Sequence, residues 1–474
     1  MRVIQVSAFP PRGGSAQVVR YLSKSLAGAG VEVGIVSGSL RDDPGMGDAS
    51  RFFHDLPTVG VDYSLARRGF AEGHDPISVR FDQPISPSYE DRKAVADRVF
   101  YKVDSAGLQH LVNSWRRVLS ETASSPPPDV LHLHHLNHLH LAAIGSEPFE
   151  STTKLAHLHG TEVKMLRNMQ RLRGDPSLHT KLWEDALRAV AQSLDHLVAN
   201  SEHTAQEARE LLGVRPEALS VIPNGVDTDL FYPRRWSQSQ RVHYLEDLLV
   251  RSPRGWDESG VEGSIRYGEE DLQRLSNERG ELRPIAVYAG RFLSFKRVDL
   301  LLTSVAELNR LSLPPFNVLI CGGSPGEWEG EHPYKLAMRL GLHNVYFAGW
   351  LGHDDLAQAL ALADLFVAPS SFEPFGQVYL EAMASSVPVV ATRSGGPAAF
   401  VVEEGPTANG WLCAPDDKDS LVAALADALG APAERRRRGA NGLALVRRDY
   451  TWSTVARRFK DLYERLQEAP PRLA

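Results

Sequence analysis

Cysteine is almost missing from this chain: Cys321 and Cys413 are the only two in 474 residues. Two thiols cannot build a disulfide framework, and both sit in apolar runs, so they read as small buried hydrophobes of a reducing compartment. Long hydrophobic runs are missing too. No stretch is apolar for the length needed to span a bilayer, and the first residues, "MRVIQVSAF", enter a strand at once with no charged leader. The expected setting is the cytoplasm. Positive charge is not in excess either. A formal net charge of −7 argues against nucleic acid, whose phosphate backbone demands clustered cations. Finally, "PPRGGSAQ" after the first strand lacks the G-x-G-x-x-G spacing, which disfavours a nicotinamide dehydrogenase.

What is present is a rhythm. Hydrophobic content of 43% and charged content of 23% are those of an ordinary globular protein, and the length suits two domains better than one core. Short apolar runs alternate with helical patterns, the mark of parallel sheets built from βαβ units. "VIQVSAF", "VEVGIVS", "DVLHLHH", "KLAHLHG", "HLVANS" and "LSVIPNG" place a first α/β domain over residues 1–225. "IAVYAG", "NVLICGG", "VYFAGW", "DLFVAPS", "VPVVAT" and "GWLCAP" place a second over residues 285–450. The fold class is α/β, with two doubly wound Rossmann-like domains. Two segments break the rhythm. Residues from about 40 to 104 read as an irregular insert, and residues 226–284 as an interdomain segment.

In open parallel sheets, ligands gather beyond the carboxyl ends of the strands. Arg291 and Lys296 follow the strand that ends at Gly290, and two cations near a helix start suit a diphosphate. "SSFEPFGQVYLEAMA" puts Glu373 on the loop after "DLFVAPS" and Glu381 on the next helix. Gly376 lets backbone approach a ligand closely, and the helix start offers amide donors. A carboxylate at Glu381 suits paired ribose hydroxyls, and Glu373 suits hydroxyls of a sugar. Taken singly, each residue also has a plain reading as a surface or helix-start charge.

A different stretch, "DVLHLHHLNHLHLAA" at residues 129–143, packs five histidines into nine positions. On a strand, His132 and His134 share a face, and zinc accepts imidazole readily. No carboxylate or supporting partner can be placed for a metal, so structural histidines and sugar contacts stand beside that reading. The expectation is a wall of a binding cleft.

In combination, the Gly-Arg, the Lys five residues later, the Glu-x7-Glu, "AMASSVPVVAT" and "SGG" resemble the retaining glycosyltransferases of family 4, group 1. The resemblance extends through "FPPRGGSAQVV", "LHGTE", "ANSEHT", "VIPNGVDTDLF", "VYFAGWL" and "YTWSTVARRFKDLYERL", leaving out residues 40–104 and 234–280. It implies the GT-B arrangement, two Rossmann-like domains facing across a cleft. The first domain would take the acceptor, the second would hold the nucleotide sugar, and residues 451–474 would return as a helix to the first domain.

By the same resemblance, Arg291 and Lys296 hold the diphosphate and Glu381 the ribose. Glu373, Pro374, Phe375, Gly376, Gln377 and Val378 meet the donor sugar and phosphates, and Leu351, next to Trp350, lies against the base. Gly14 belongs to the loop that approaches the diphosphate, and His159 of "LHGTE" stands near the reacting sugar. Read from the residues alone, Glu162 suits a cationic or hydroxyl-rich acceptor or else caps a helix after Thr161, and His134, at its strand end, suits sugar hydroxyls on that acceptor side or a structural place. His159, Arg291, Lys296 and Glu373 are thus the catalytic candidates. The family usually carries glycine where this chain has Arg297 and Ser386, departures that bear on base and sugar preference rather than on charge chemistry.

The implied reaction is hexosyl transfer with retention, from a nucleotide sugar (UDP-sugar favoured) to a hydroxyl of a small polar or sugar-like acceptor. No metal or other cofactor is expected, since no Asp-x-Asp pair stands at an obvious strand end. Glycosidase-type paired carboxylates match poorly, because Glu373 and Glu381 have better uses in donor binding. The rival readings are a nucleotide-sugar-binding protein without turnover and an epimerase or phosphorylase of the same fold. Lys164, Arg167, Arg171 and Arg173 read as a solvated helix face, with a phosphorylated acceptor or an anionic membrane surface as alternatives.

Overall fold

Seven parallel strands form the first sheet of the computed structural model: β1 (Arg2–Ser7), β2 (Glu32–Ser39), β3 (Thr58–Asp62), β4 (Val130–His134), β5 (Thr153–Leu158), β6 (His196–Ala199) and β7 (Leu219–Val221). Their order is β3-β2-β1-β4-β5-β6-β7. The structure describes residues 1–11, 13–42, 47–74, 86–89, 98–123, 126–144 and 146–468. Parts of the 40–104 insert and the end of the 451–474 segment lie outside the described residues.

Strand β3 corrects the reading of the insert as irregular. "TVGVD" escapes a hydrophobicity pattern because it is an edge strand, only partly buried and interrupted by Gly60. A Cβ at that glycine would be tight, 3.2 Å from Cβ of Ser39.

Helix α1 (Gly13–Gly28) turns Val18, Val19, Leu22 and Leu26 inward, and helix α2 (Thr161–Arg171) follows β5. The C-terminal helix Trp452–Glu468 joins the same unit. Its Trp452, Val455, Phe459, Leu462 and Tyr463 share a core with Val3, Val18, Leu22, Val130, Leu155 and Val198. Met1–Gly225 and Trp452–Ala474 accordingly form one compact unit. Gly225 permits the junction, because a Cβ there would lie 2.7 Å from the Trp452 ring.

The second unit, Val226–Thr451, contains β8 (Ile285–Ala289), β9 (Asn317–Cys321), β10 (Val345–Gly349), β11 (Leu365–Ala368), β12 (Val389–Thr392) and β13 (Gly410–Cys413). All six are parallel, in the order β10-β9-β8-β11-β12-β13. Helix α3 (Val298–Leu308) buries Val298, Leu301, Leu302, Val305 and Leu308, as their spacing predicts, and α4 (Gln377–Ala384) follows β11.

Residues 226–284 are not a free-standing connection. Leu245, Leu249, Trp256, Ile265 and Leu275 belong to the core of the second unit. The segment lies along edge strand β10, where Tyr267 Oη accepts the Phe347 N–H at 2.7 Å and a Cβ on Gly349 would meet the Arg254 carbonyl. Covering an edge in this way removes open backbone groups that would otherwise pair with another chain. Isolated apolar residues in a polar segment carry no period, which hid this from the pattern.

The two departures from the family now have a backbone explanation. Arg297 and Ser386 sit at φ +52° and +62°, the left-handed region that glycine tolerates best. Arg297 is held there by bonds to Asp299 and Asp416. Ser386 has no side-chain hydrogen bond of that kind among the described residues. Ser386→Gly is therefore expected to stabilise the protein by about 0.5–1 kcal/mol, read as a higher midpoint in urea denaturation. A lower midpoint would contradict the strain.

Candidate active site

In both units the strand order reverses beside the first strand, between β1 and β4 and between β8 and β11. Crevices beyond the carboxyl ends at such reversals are where doubly wound folds bind ligands. Of the residues singled out in the sequence, His159, Arg291, Lys296 and Glu373 follow such ends.

In the second unit, the turn after β8 carries Arg291 and Lys296, and the loop after β11 carries Glu373. The structure brings the latter two together: Lys296 Nζ lies 2.6 Å from Glu373 Oε2, with both side chains mostly buried. Arg291 remains exposed, 3.5 Å from Glu327. Backbone bonds lock the two loops, since Ser371 N donates to the Phe295 carbonyl and Gly396 N to the Glu373 carbonyl, each at 2.8 Å. "SGG" is a packing requirement here. A Cβ on Gly395 would lie 2.3 Å from the Glu373 carbonyl oxygen, and one on Gly396 the same distance from that of Phe375.

Gly376, at φ +92°, then turns the chain into α4. The first amides of a helix have no intrahelical acceptor and carry the positive end of its dipole, so Gln377 and Val378 begin a site suited to phosphate. Phe375 and Leu351 are buried, while Trp350 is 59% exposed. Glu381, one turn further on, is buried at 4% exposure, and its carboxyl makes no hydrogen bond or ion pair among the described residues. Burial pushes its pKa up to about 8. A carboxylate that lacks a partner inside the protein is suited to accept from a ligand.

The first unit holds the histidines. Gly14 is exposed at the start of α1, with open space where a Cβ would stand. The five histidines from 132 to 140 are all buried, which corrects the expectation of a cleft wall. The face shared by His132 and His134 is covered by the C-terminal helix, with the Phe459 ring 5.1 Å from that of His132 and the Tyr463 hydroxyl 2.6 Å from its Nδ1. His134 is fully buried, bonded to Gln5 Oε1 at 2.7 Å and His159 Nε2 at 3.0 Å. It supports His159 rather than facing an acceptor.

Glu162 is also fully buried. It accepts from His135 Nδ1 at 2.8 Å and from the His159 backbone N–H at 3.2 Å. Burial would raise its pKa, but the His135 ring and these donors hold it below the usual carboxylate value. Its expected place on the acceptor side is corrected to one underneath it. His159 alone among His132, His134, His157 and His159 is partly exposed, and burial together with its histidine neighbours keeps it neutral.

His132, His134 and His157 each offer a nitrogen within 4.8 Å of the others, a grouping in reach of a metal ion. Taking one would require His134 to give up Gln5 or His159, and His132 to give up Tyr463 or His157. The two rings are also stacked only 8° from parallel, so their in-plane lone pairs run side by side rather than converging. Of the cations on α2 and in the turn after it, Arg167 pairs with Glu207 and Glu210 and Arg173 with Glu184.

Sequence reasoning missed Gln5 and Ser371 and gave His135, one of the five clustered histidines, no role of its own. Gln5 left a signal, as a polar residue within an apolar strand.

Residues 269–444 match the model of the glycosyl transferases group 1, and residues 12–230 that of Glycosyltransferase Family 4. The chain belongs to the group 1 glycosyltransferases of family 4, enzymes that draw on a nucleotide-sugar donor, and its two Rossmann-like units are those of the GT-B fold. It is 28% identical over 467 residues to a glycogen synthase of Mycobacterium tuberculosis, spanning 98% of this chain and 94% of that one. It is 30% identical over 292 residues to the GDP-mannose-dependent alpha-(1-6)-phosphatidylinositol monomannoside mannosyltransferase of Mycolicibacterium smegmatis, covering 60% and 66% of the two chains. Among solved structures, Anabaena HepE in complex with UDP-glucose superposes with a TM-score of 0.62 at 18% identity, over 98% of this chain and 100% of that one. No helix among the described residues is long and apolar enough to cross a membrane.

Proposed function

We propose that the protein transfers a hexose, with retention of anomeric configuration, from a UDP-sugar to a hydroxyl of a small polar or sugar-like acceptor. The observation that carries the donor assignment is the pairing of Lys296 with Glu373, together with a buried Glu381 that has no partner among the described residues, on segments that follow β8 and β11, the two strands at one strand-order reversal. Breaking the glycosyl phosphate bond builds negative charge on the departing diphosphate. Arg291, Lys296 and the first amides of α4 stabilise that charge. Glu381 accepts from the ribose hydroxyls, Glu373 meets the sugar, and Leu351 lies against the base. His159 acts on a substrate hydroxyl. The acceptor attacks from the face that the diphosphate leaves, and the leaving phosphate takes the acceptor's proton.

UDP is favoured by the fold neighbour solved with UDP-glucose, whereas the Mycolicibacterium relative is named for GDP-mannose. This reading requires no metal, because protein cations occupy the role a metal would have at the diphosphate. The test is incubation with UDP-sugars and a panel of hydroxyl acceptors, with NMR of the product anomer. The expected result is a retained anomer formed at the same rate with and without EDTA. An inverted product, or loss of activity to EDTA restored by zinc or magnesium, would contradict it. Turnover of donor without an acceptor would favour an epimerase.

Proton bookkeeping checks Glu381 separately. With a pKa of about 8, it is largely protonated at neutral pH in the free protein. Ribose hydroxyls donate to the carboxylate form and lower that pKa, so nucleotide binding is expected to release a proton and to tighten as pH rises towards that value. Calorimetry in two buffers of different ionisation enthalpy reads the release. Glu381→Gln should remove all of it except the part due to the nucleotide's own phosphate.

A further inference from the structure

Gln5 is fully buried in the middle of β1, among valine and isoleucine. A buried amide costs free energy unless its polar atoms are used, and its oxygen is used: Oε1 lies 2.7 Å from His134 Nε2. On the other side of that ring, His134 Nδ1 lies 3.0 Å from His159 Nε2. Burial, reinforced by the surrounding histidines, holds both rings well below the ordinary histidine pKa, so both are neutral. A neutral imidazole has one N–H and one bare nitrogen.

The polarity of the chain follows. An amide oxygen can only accept, so His134 carries its proton on Nε2 and leaves Nδ1 bare. That bare nitrogen can only accept in turn, so His159 carries its proton on Nε2. His159 Nδ1 is then bare, and it makes no hydrogen bond among the described residues. A second chain in the same cluster runs from the Tyr463 hydroxyl to His132 Nδ1 at 2.6 Å and from His132 Nε2 to His157 Nδ1 at 3.2 Å. A tyrosine hydroxyl can donate or accept, so this second chain has no direction of its own.

We propose that Gln5 is a positioning residue whose amide oxygen, acting through His134, fixes the tautomer of His159 so that Nδ1 is a bare acceptor for a substrate hydroxyl. This rests on the reading of His159 as a group that acts on substrate. The consequence is chemical selectivity. A bare nitrogen takes a hydroxyl hydrogen and repels a phosphate oxygen, whereas the opposite tautomer would donate to either oxygen and lose that discrimination.

The experiment is two-bond ¹⁵N–¹H spectroscopy of the full chain labelled at histidine nitrogens, with His159→Asn to assign the His159 signals. The expected wild-type spectrum shows His159 protonated at Nε2 and bare at Nδ1. A proton on Nδ1 would mean that the amide is turned the other way and would overturn the proposal. In Gln5→Leu the His159 signals should move to a mixture of tautomers. Its kcat should fall about ten- to hundred-fold, the range for lost orienting partners, with nucleotide affinity unchanged. Gln5→Glu, which keeps an acceptor oxygen, should restore both. A slower Gln5→Leu with an unaltered His159 spectrum would reveal a merely structural role and overturn the proposal. Should Gln5→Leu fail to fold, the wild-type spectrum decides alone. Absence of sugar transfer by the wild-type protein would count against the transferase reading, while the spectrum would still judge Gln5.

Discussion

Lys296→Ala is expected to slow sugar transfer by about 10²–10³-fold, the usual loss on removing one preorganised group from a developing charge. The argument starts from geometry. In the free protein Lys296 Nζ is held 2.6 Å from Glu373 Oε2, with the lysine 21% and the glutamate 12% exposed. A cation so placed is already oriented when the diphosphate arrives, and the partly dry surroundings strengthen its field. Arg291 is exposed on the same turn and supplies the remaining charge, so a residual rate should persist. Lys296→Arg should recover only part of the loss, because a planar guanidinium differs in reach and shape from an ammonium group. Initial rates at saturating donor give the answer, with a melting curve to show that the variant is folded. A rate within a few-fold of wild type would remove Lys296 from the chemistry.

The second large effect concerns stability. Glu162→Ala should destabilise the first unit by about 3 kcal/mol, the lower end of the range for removing one partner of a buried pair. Glu162 is fully buried and accepts from both the His135 ring and the His159 backbone. Alanine would leave those donors unmet, at a position where His135 is itself strained at φ +65°. For a unit of this size the loss corresponds to a melting temperature roughly 6–12 °C lower. A drop of only a degree or two would mean that water or a rearranged His135 replaces the carboxylate.

The pH dependence has a definite sign. Glu162 has a folded pKa below its usual value, so its stabilising share is present above that value and is lost as pH falls through the folded one. Glu381 behaves oppositely. Its raised pKa makes the folded state hold the extra proton, so its contribution fades as pH climbs from the ordinary carboxylate range to about 8.

Strands were the most legible part of the sequence, because runs such as "IAVYAG" and "DLFVAPS" are buried on both faces and need no alternation to be recognised. Strand β3 was not, since an edge strand with a glycine in five residues carries little hydrophobic signal. The covering segment 226–284 was not either, because Trp256 and Ile265 meet the core one at a time. At the site, Arg291, Lys296, Glu373 and Glu381 were visible from residue type and spacing beyond strand ends. The fate of the histidines was not. Whether His134 faces solvent depends on a helix more than 300 residues later, whose Tyr463 is 331 positions from His132. The role of Gln5 likewise depends on β1 lying next to β4, where Gln5 stands in register with His132 and its amide oxygen reaches His134. Arg297 and Ser386, where the resemblance implies glycine, sit at positive φ, a backbone requirement that the sequence does not display.

The most direct test of the donor site is thermal melting of the purified protein with UDP, GDP, ADP or dTDP, without added metal. A nucleotide at about 100 times its dissociation constant adds roughly 2.7 kcal/mol to the state that binds it, which is a shift of several degrees. The account predicts a clear shift with UDP, larger than with the other three, and its loss in Lys296→Ala. No shift with any of the four, or an equal shift in Lys296→Ala, would contradict the assignment of these strand ends as the nucleotide-sugar site.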